Sequence, residues 1–264
     1  MAVLAQSRSL EIDQFFLGVS ALLFAASATL TIVWCAAMSA MGMPMPGGWT
    51  MSMAWMRMPE QTWLDAAVSF LGMWVVMMAA MMMPSLVPML QRYRLAVARS
   101  GATRLGWLTA VAGAGYFFVW TLFGMAVFPL GVALAEIEMR QVAMARAVPL
   151  AVGVTVLLAG ALQFTRWKMR QLACCREEPP DERPLAASAW IAWRHGLRLG
   201  RDCSLCCVGL MTILLVVGVM DLGVMAAVTL GITVERLAPN GRRAAQSVGA
   251  VIVGAGLVLI AAAM

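Results

Sequence analysis

Long apolar runs alternate with short polar interruptions along the whole chain. A bilayer core of about 30 Å takes about 20 apolar residues in a helix, and the pattern supplies segments of that length repeatedly. The first span is predicted at residues 15–40, followed by a loop rich in Met, Pro, Gly and Trp at 41–64. A second span covers 65–90, and a basic loop, 91–105, carries Arg92, Arg94, Arg99 and Arg104. The third span, 106–135, is rich in glycine and aromatics, and a short polar crossing at 136–146 leads to a fourth at 147–165. The longest polar stretch is 166–202, with eight Lys or Arg. Residues 203–234 are apolar apart from an interruption at Asp221 and Gly223; 235–243 (ERLAPNGRR) are polar and 244–263 form a last span.

One tilted helix over 203–234 gives six spans, whereas a turn near Asp221 gives seven. Lys and Arg concentrate in cytoplasmic loops. Seven spans with an inside N-terminus put sixteen of the 19 basic residues on the inner side and leave Arg57, Arg140 and Arg146 outside. Six spans place ERLAPNGRR outside, a worse partition. The expectation is an all-α, polytopic membrane helical bundle of about seven transmembrane helices, six being the alternative, in a single integral membrane domain over 1–264. Its N-terminus is cytoplasmic and its loop 41–64 periplasmic.

Composition supports this. The chain is 62% hydrophobic and 12% charged, with mean hydropathy +0.84, about half the charge of a soluble domain. The net charge of +6 then follows from topology and does not point to nucleic acid. The apolar run after the N-terminal MAVLAQSRSLEIDQ is too long for a cleavable signal and is followed by further spans. No Ser–His–Asp set, carboxylate pair or phosphate-binding loop is present, so no enzymatic activity is expected.

Sulfur is unevenly placed. Of 24 methionines, 15 fall between Met38 and Met89. Methionine is an ordinary gap-filler in cores, but a thioether is also a soft neutral ligand that suits Cu(I). In the outer loop, Met41, Met43 and Met45 alternate, as do Met51 and Met53, with Met56 and Met58 following. Alternation brings sulfurs of an extended segment to one side; the competing reading is an interfacial loop with Trp49, Trp55 and Trp63 as an aromatic belt. In the second span Met73, Met77 and Met81 form one helical row, and Met78, Met82 and Met89 another, with Met83 among them. Pro84 and Pro88 free backbone carbonyls there, a feature a buried site or permeation path uses. Lipid-facing or packing methionines are the plainer alternative.

The six cysteines do not have the spacing of a secreted disulfide framework. Cys203 and Cys207 stand at i and i+4, Met211 one turn further, and Cys206 flanks them, so three thiols share one turn. They suit Cu(I) or Zn binding or thiol–disulfide exchange, against buried structural cysteine. His195 lies eight residues upstream, too far to share a helical face with Cys203. Cys174–Cys175 is an accessory thiol pair or has no role. Met220 and Asp221, with Met225, are a further candidate, because a membrane carboxylate is expensive and functional by default; a turn at the outer surface is the alternative. Glu235 is expected at the interface. The candidate metal ligands are thus Cys203, Cys206, Cys207, Met211, Met73, Met77, Met78, Met81, Met82, Met220 and Asp221.

These residues resemble a bacterial family of metal-binding integral membrane proteins, a domain of unknown function sometimes labelled copper chaperone. The resemblance covers about 49–240. Its markers are MWVVMMAAMMMPSLVPM (73–89), LQFTRWK ending near Cys175–Arg176, CSLCCVGLM (203–211), GVMDL (218–222) and VERLAP (234–239). Leu205 stands where the family often has Gly, Val208 where it has Trp, Leu199 where it has His, and Gln171 where a cysteine is expected. The resemblance implies a multi-span inner-membrane protein that binds metal, copper in the first place. With the methionine and cysteine clusters, the expected function is copper handling, either moving Cu(I) across the membrane or supplying it to a membrane cuproenzyme. The partners expected are the lipid bilayer, such a cuproenzyme or other membrane subunits, and a second copy of the chain. Two other readings stand beside it. One is a structural subunit packing through Gly113, Gly115, Gly249, Gly254 and Gly256. The other is a thiol oxidoreductase, which needs a second reactive pair on the outer face, where only Cys35 is near.

Overall fold

In the computed structural model the chain is described over residues 2–39, 42–58, 60–100, 104–176 and 188–264, the side chains of 2–13 and Ser39 excepted. The helices are α1 (Ala2–Ser39), α2 (Trp63–Ala98), α3 (Leu105–Arg140), α4 (Val142–Leu162), α5 (Arg166–Arg176), α6 (Ala189–Val217), α7 (Leu222–Leu237) and α8 (Gly241–Ala263). Between α1 and α2 lie a hairpin, β1 (Met43–Met45) and β2 (Trp49–Met51), and a short 3₁₀ turn at Met53–Trp55. The protein is therefore an all-α polytopic membrane bundle. Among the described residues, six helices are long and apolar enough to cross a membrane. Phe15, Leu22, Leu230 and Val251 stand exposed, as a lipid-facing surface requires.

The interruption at Asp221 is a turn. Gly218 takes φ +155°, which an L side chain rarely adopts, and its N–H donates to Leu214 O at 3.1 Å while Asp221 N donates back to Gly218 O at 3.1 Å. Asp221 Oδ1 then accepts from Val224 N at 2.8 Å and caps α7. Residues 203–234 are thus split between two helices. The second, α7, has 16 residues, roughly 24 Å at 1.5 Å each, short of a full crossing.

Several helices outrun the apolar runs that predicted them. The basic segment 91–98 continues α2, the polar 136–140 continues α3, and the first part of α6 lies in the polar stretch 166–202. Hydropathy marks where a helix leaves apolar surroundings, not where its hydrogen bonds stop. Pro84 and Pro88 lie inside an unbroken α2, so the expected break is absent.

Small residues set the closest approaches. A Cβ on Gly196 would strike the Ala112 carbonyl, and one on Gly200 would meet Tyr116 O at 2.9 Å, which brings α6 against α3. Gly249 and Gly256 face α4 in the same way, and Gly115 faces α6, whereas Cβ atoms at Gly113 and Gly254 would meet nothing within 4 Å. Three of the five glycines expected to face a partner are used within this chain.

The Met-rich segment is folded. Met43 pairs with Met51 and Met45 with Trp49 across the hairpin, so these four share one face; Met41 lies outside the described residues. Trp49 Nε1 donates to Ala145 O at 2.9 Å, and the Trp55 ring lies 5.3 Å from that of Phe70. These two indoles fasten the segment to the helices instead of forming a belt.

Candidate metal centre

Helix directions place the sulfur residues. Tyr93 of α2 stacks on His195 of α6 at 4.7 Å, and Met82 meets Cys203 further along, so α2 and α6 run antiparallel. Arg94 lies over Phe16 at 4.6 Å, while Cys35 near the other end of α1 meets Met220 and Met225 beside the Gly218–Asp221 turn, so α1 runs antiparallel to α2. Met73, Met77, Met78 and Met81 therefore rise from Met82 along α2 in the direction in which α6 runs towards the Gly218–Asp221 turn. All but the half-buried Met73 are buried, as is Met83.

At the lower end of that row the bundle gathers a polar, sulfur-rich set. Cys203 Sγ lies 3.9 Å from Met82 Sδ and 3.9 Å from Cys207 Sγ. Tyr116 OH donates to Cys203 Sγ at 3.0 Å. Arg236 Nη1 donates to Cys203 Sγ at 3.2 Å and to Ser85 Oγ at 3.0 Å, and Nη2 reaches Met89 Sδ at 3.4 Å. All of these except Met89, at the rim, are buried. A guanidinium is always charged, and burying one without a counter-charge is costly. Of its three partners, Cys203 is the one that can become an anion.

Cys206 belongs to a neighbouring set. Its carbonyl accepts from Lys168 Nζ at 2.7 Å, and its thiol pairs with Cys175. Cys175 Sγ also donates to Asp202 O at 2.8 Å, and its thiol is pushed well above the ordinary range, first by the hydrogen bond with Cys206 and then by burial. Cys174 is exposed. Lys168 Nζ meets Glu235 Oε2 at 2.6 Å with both side chains almost wholly enclosed. Burial alone lowers the Lys168 ammonium; Cys206 and Glu235 outweigh it and hold it above its ordinary value. Glu235 is thus a buried partner and not an interfacial residue. Arg176 closes this end by donating to Glu235 O at 2.9 Å and Ala238 O at 2.6 Å.

The structure brings Cys203, Cys207 and Met82 together, and the Cys206 thiol bridges Cys207 to Cys175. Met211 is buried one turn further along α6. Met220 lies at the opposite end, roughly 20 Å from Cys203 along α6, and Asp221 is exposed in its turn. Among the described residues no three His, Cys, Asp or Glu side chains converge on one point, so a soft-metal site here has to draw on thioether sulfur. Sequence reasoning assigned no role to Tyr116, Lys168, Arg236 or Cys35. Lys168 and Arg236 fall inside the markers LQFTRWK and VERLAP, which is the signal that could have found them; Tyr116 and Cys35 sit in apolar helices with no local sign.

No curated protein and no solved structure is similar to this chain. Residues 71–259, which contain α6, α7 and the whole of the methionine row, match a protein family described as Copper chaperone. That match covers well over half of the sequence, and the chain belongs to this copper chaperone family.

Proposed function

We propose that the protein handles Cu(I) in the bacterial inner membrane, with copper as its cargo, taking it in on the periplasmic side and passing it towards the cytoplasmic side or to a membrane cuproenzyme. The observation that carries this reading is the buried guanidinium of Arg236 against Cys203, with Cys207 and Met82 within 3.9 Å of the same sulfur. Two sulfurs on one ion at bonds of about 2.3 Å stand about 4 Å apart, the separation that Cys203 keeps from both Met82 and Cys207. One Cu(I) with two thiolates carries a single negative charge, and Arg236 cancels it. A divalent ion in the same place leaves a positive charge buried, at a cost that favours the monovalent ion.

Residues Met43, exposed, and Met45, half-buried, serve as the capture surface, with the buried Met51 behind them on the same hairpin face. Met73, Met77, Met78 and Met81 form a row of neutral ligands along which a cation moves without a trapping charge, and Met82, Cys207 and Cys203 receive it. Met211 extends that receiving face. The chain has no phosphate-binding loop, so movement follows a gradient or an acceptor. The thiol-oxidoreductase reading lacks a second thiol pair at the far end, since the sulfurs nearest Cys35 belong to methionines.

Elemental analysis of detergent-purified protein from copper-supplemented cells tests this. The wild type is expected to hold copper and Cys203→Ser/Cys207→Ser to lose most of it. Copper at background in the wild type overturns the proposal.

A further inference from the structure

A second set of three sulfurs stands at the other end of the bundle. Cys35 Sγ, on α1, lies 3.8 Å from Met220 Sδ and 3.9 Å from Met225 Sδ. The three residues come from three places: the last turns of α1, the α6–α7 turn and the first turn of α7. Each is at most 8% exposed. We infer that Cys35, Met220 and Met225 form a separate binding site for one soft monovalent cation, Cu(I) or its analogue Ag(I), at the end of the methionine row remote from Cys203. The inference rests on the proposed function in so far as the row between the two sites is the route that joins them.

Geometry and charge both support it. Cys35 keeps from each methionine the roughly 4 Å that two sulfurs sharing one soft ion require, although it is separated from Met220 by some 185 residues of chain. One thiolate and two thioethers supply one negative charge. A monovalent ion gives a neutral centre, whereas a divalent ion leaves a charge in apolar surroundings. Binding deprotonates the Cys35 thiol and the proton goes to solvent; no electron is transferred. Access comes from the turn. Met220, at 8%, is the most exposed of the three, and next to it Asp221 is exposed in the turn. Its carboxylate presents an anion where the cation enters, while its Oδ1 holds the first turn of α7, and with it Met225, in place.

This differs from the Cys203 centre in the way a route needs. The outer set has one thiol and, among the described residues, no buried Lys or Arg beside it. The inner set has two thiols and Arg236. Thiolates bind Cu(I) more tightly than thioethers, so affinity rises from the outer set to the inner one.

The test is anaerobic titration of the full-length detergent-purified protein with Cu(I) against a chromogenic Cu(I) chelator. The proteins compared are the wild type, Cys35→Ser, the volume-conserving Met220→Leu/Met225→Leu, Cys203→Ser/Cys207→Ser, and the combination of Cys35→Ser with the last. Thermal unfolding of each confirms the fold, and the Met→Leu pair keeps the test decisive should Cys35→Ser fold poorly. The expected result is a loss of about one equivalent of Cu(I) per chain in Cys35→Ser and in the Met pair, both in the wild type and when Cys203 and Cys207 are already replaced. An unchanged stoichiometry in these variants, with a loss in Cys203→Ser/Cys207→Ser, overturns this site and leaves the proposed function standing. A loss confined to the Cys35 set keeps this site and overturns the inner one. No Cu(I) bound by the wild type overturns both.

Discussion

Arg236 is the residue around which the proposed inner centre is organised, and in that proposal its one charge selects a monovalent ligand. Its guanidinium touches Cys203, Ser85 and Met89, three groups that an apolar bundle has no other reason to gather. Replacing it with Met removes the charge that balances two thiolates around one Cu(I). Partners that orient and charge-balance metal ligands typically contribute about 10–100-fold in affinity. Arg236→Met is therefore expected to weaken Cu(I) binding at the Cys203 centre by that order while leaving the outer set unchanged, as read by chelator competition. Met82→Leu is the complementary change. It preserves volume, so it should cost less than about 1.5 kcal/mol of stability, yet it removes one of three sulfurs. A lowered Cu(I) affinity with an almost unchanged unfolding temperature is the expected outcome; an unchanged affinity would assign Met82 to packing alone.

At the scale of elements, α5 is an amphipathic helix fixed beneath α6 and α7 by Lys168, whose ammonium joins Cys206 O and the Glu235 carboxylate. Breaking a buried pair by removing one partner typically costs about 3–5 kcal/mol because the other charge is left uncompensated. Lys168→Met should lower the unfolding temperature sharply, and Lys168→Met/Glu235→Leu should recover much of the loss. Since the folded-state value of Lys168 is raised, its contribution is complete below the ordinary lysine value and is lost only as pH rises through the higher folded one. Stability is expected to be flat in this respect through neutral and mildly alkaline pH. This pair was not legible in the sequence. Lys168 and Arg236 read as loop charges that set orientation, because a local window sees only the polar residues beside them. The α6–α7 turn was legible, since Asp221 breaks an apolar run and also caps the next helix. So was the shared helical face of Cys203 and Cys207. Cys35 was not, for its partners are joined to it only by the packing of α1 against the α6–α7 turn.

At the scale of the whole molecule, the order of the two centres across the membrane decides the direction of the route, and the buried charges alter the argument for that order. Lys168, Arg94 and Arg236 are enclosed, so they act within the fold, but the exposed basic residues Arg99, Arg198 and Arg201 still lie at the Cys203 end of α2 and α6. The expected orientation therefore keeps the Cys203 end cytoplasmic and the hairpin periplasmic. Two exposed positions test it. Cys174 on α5 is the one exposed cysteine among the described residues, and Thr50 on β2 is exposed at the other end. A membrane-impermeant maleimide should leave the wild type unlabelled in intact spheroplasts and label it in inverted vesicles. Cys174→Ala/Thr50→Cys should show the reverse. With that result, thioethers that bind Cu(I) in any redox state of their surroundings face the oxidising side, while the tighter thiolates face the reducing side that keeps them free. The gain in affinity then drives inward movement. The opposite labelling pattern would turn the same gradient round, so that copper would have to leave the tighter centre to go out, and the import reading would fail.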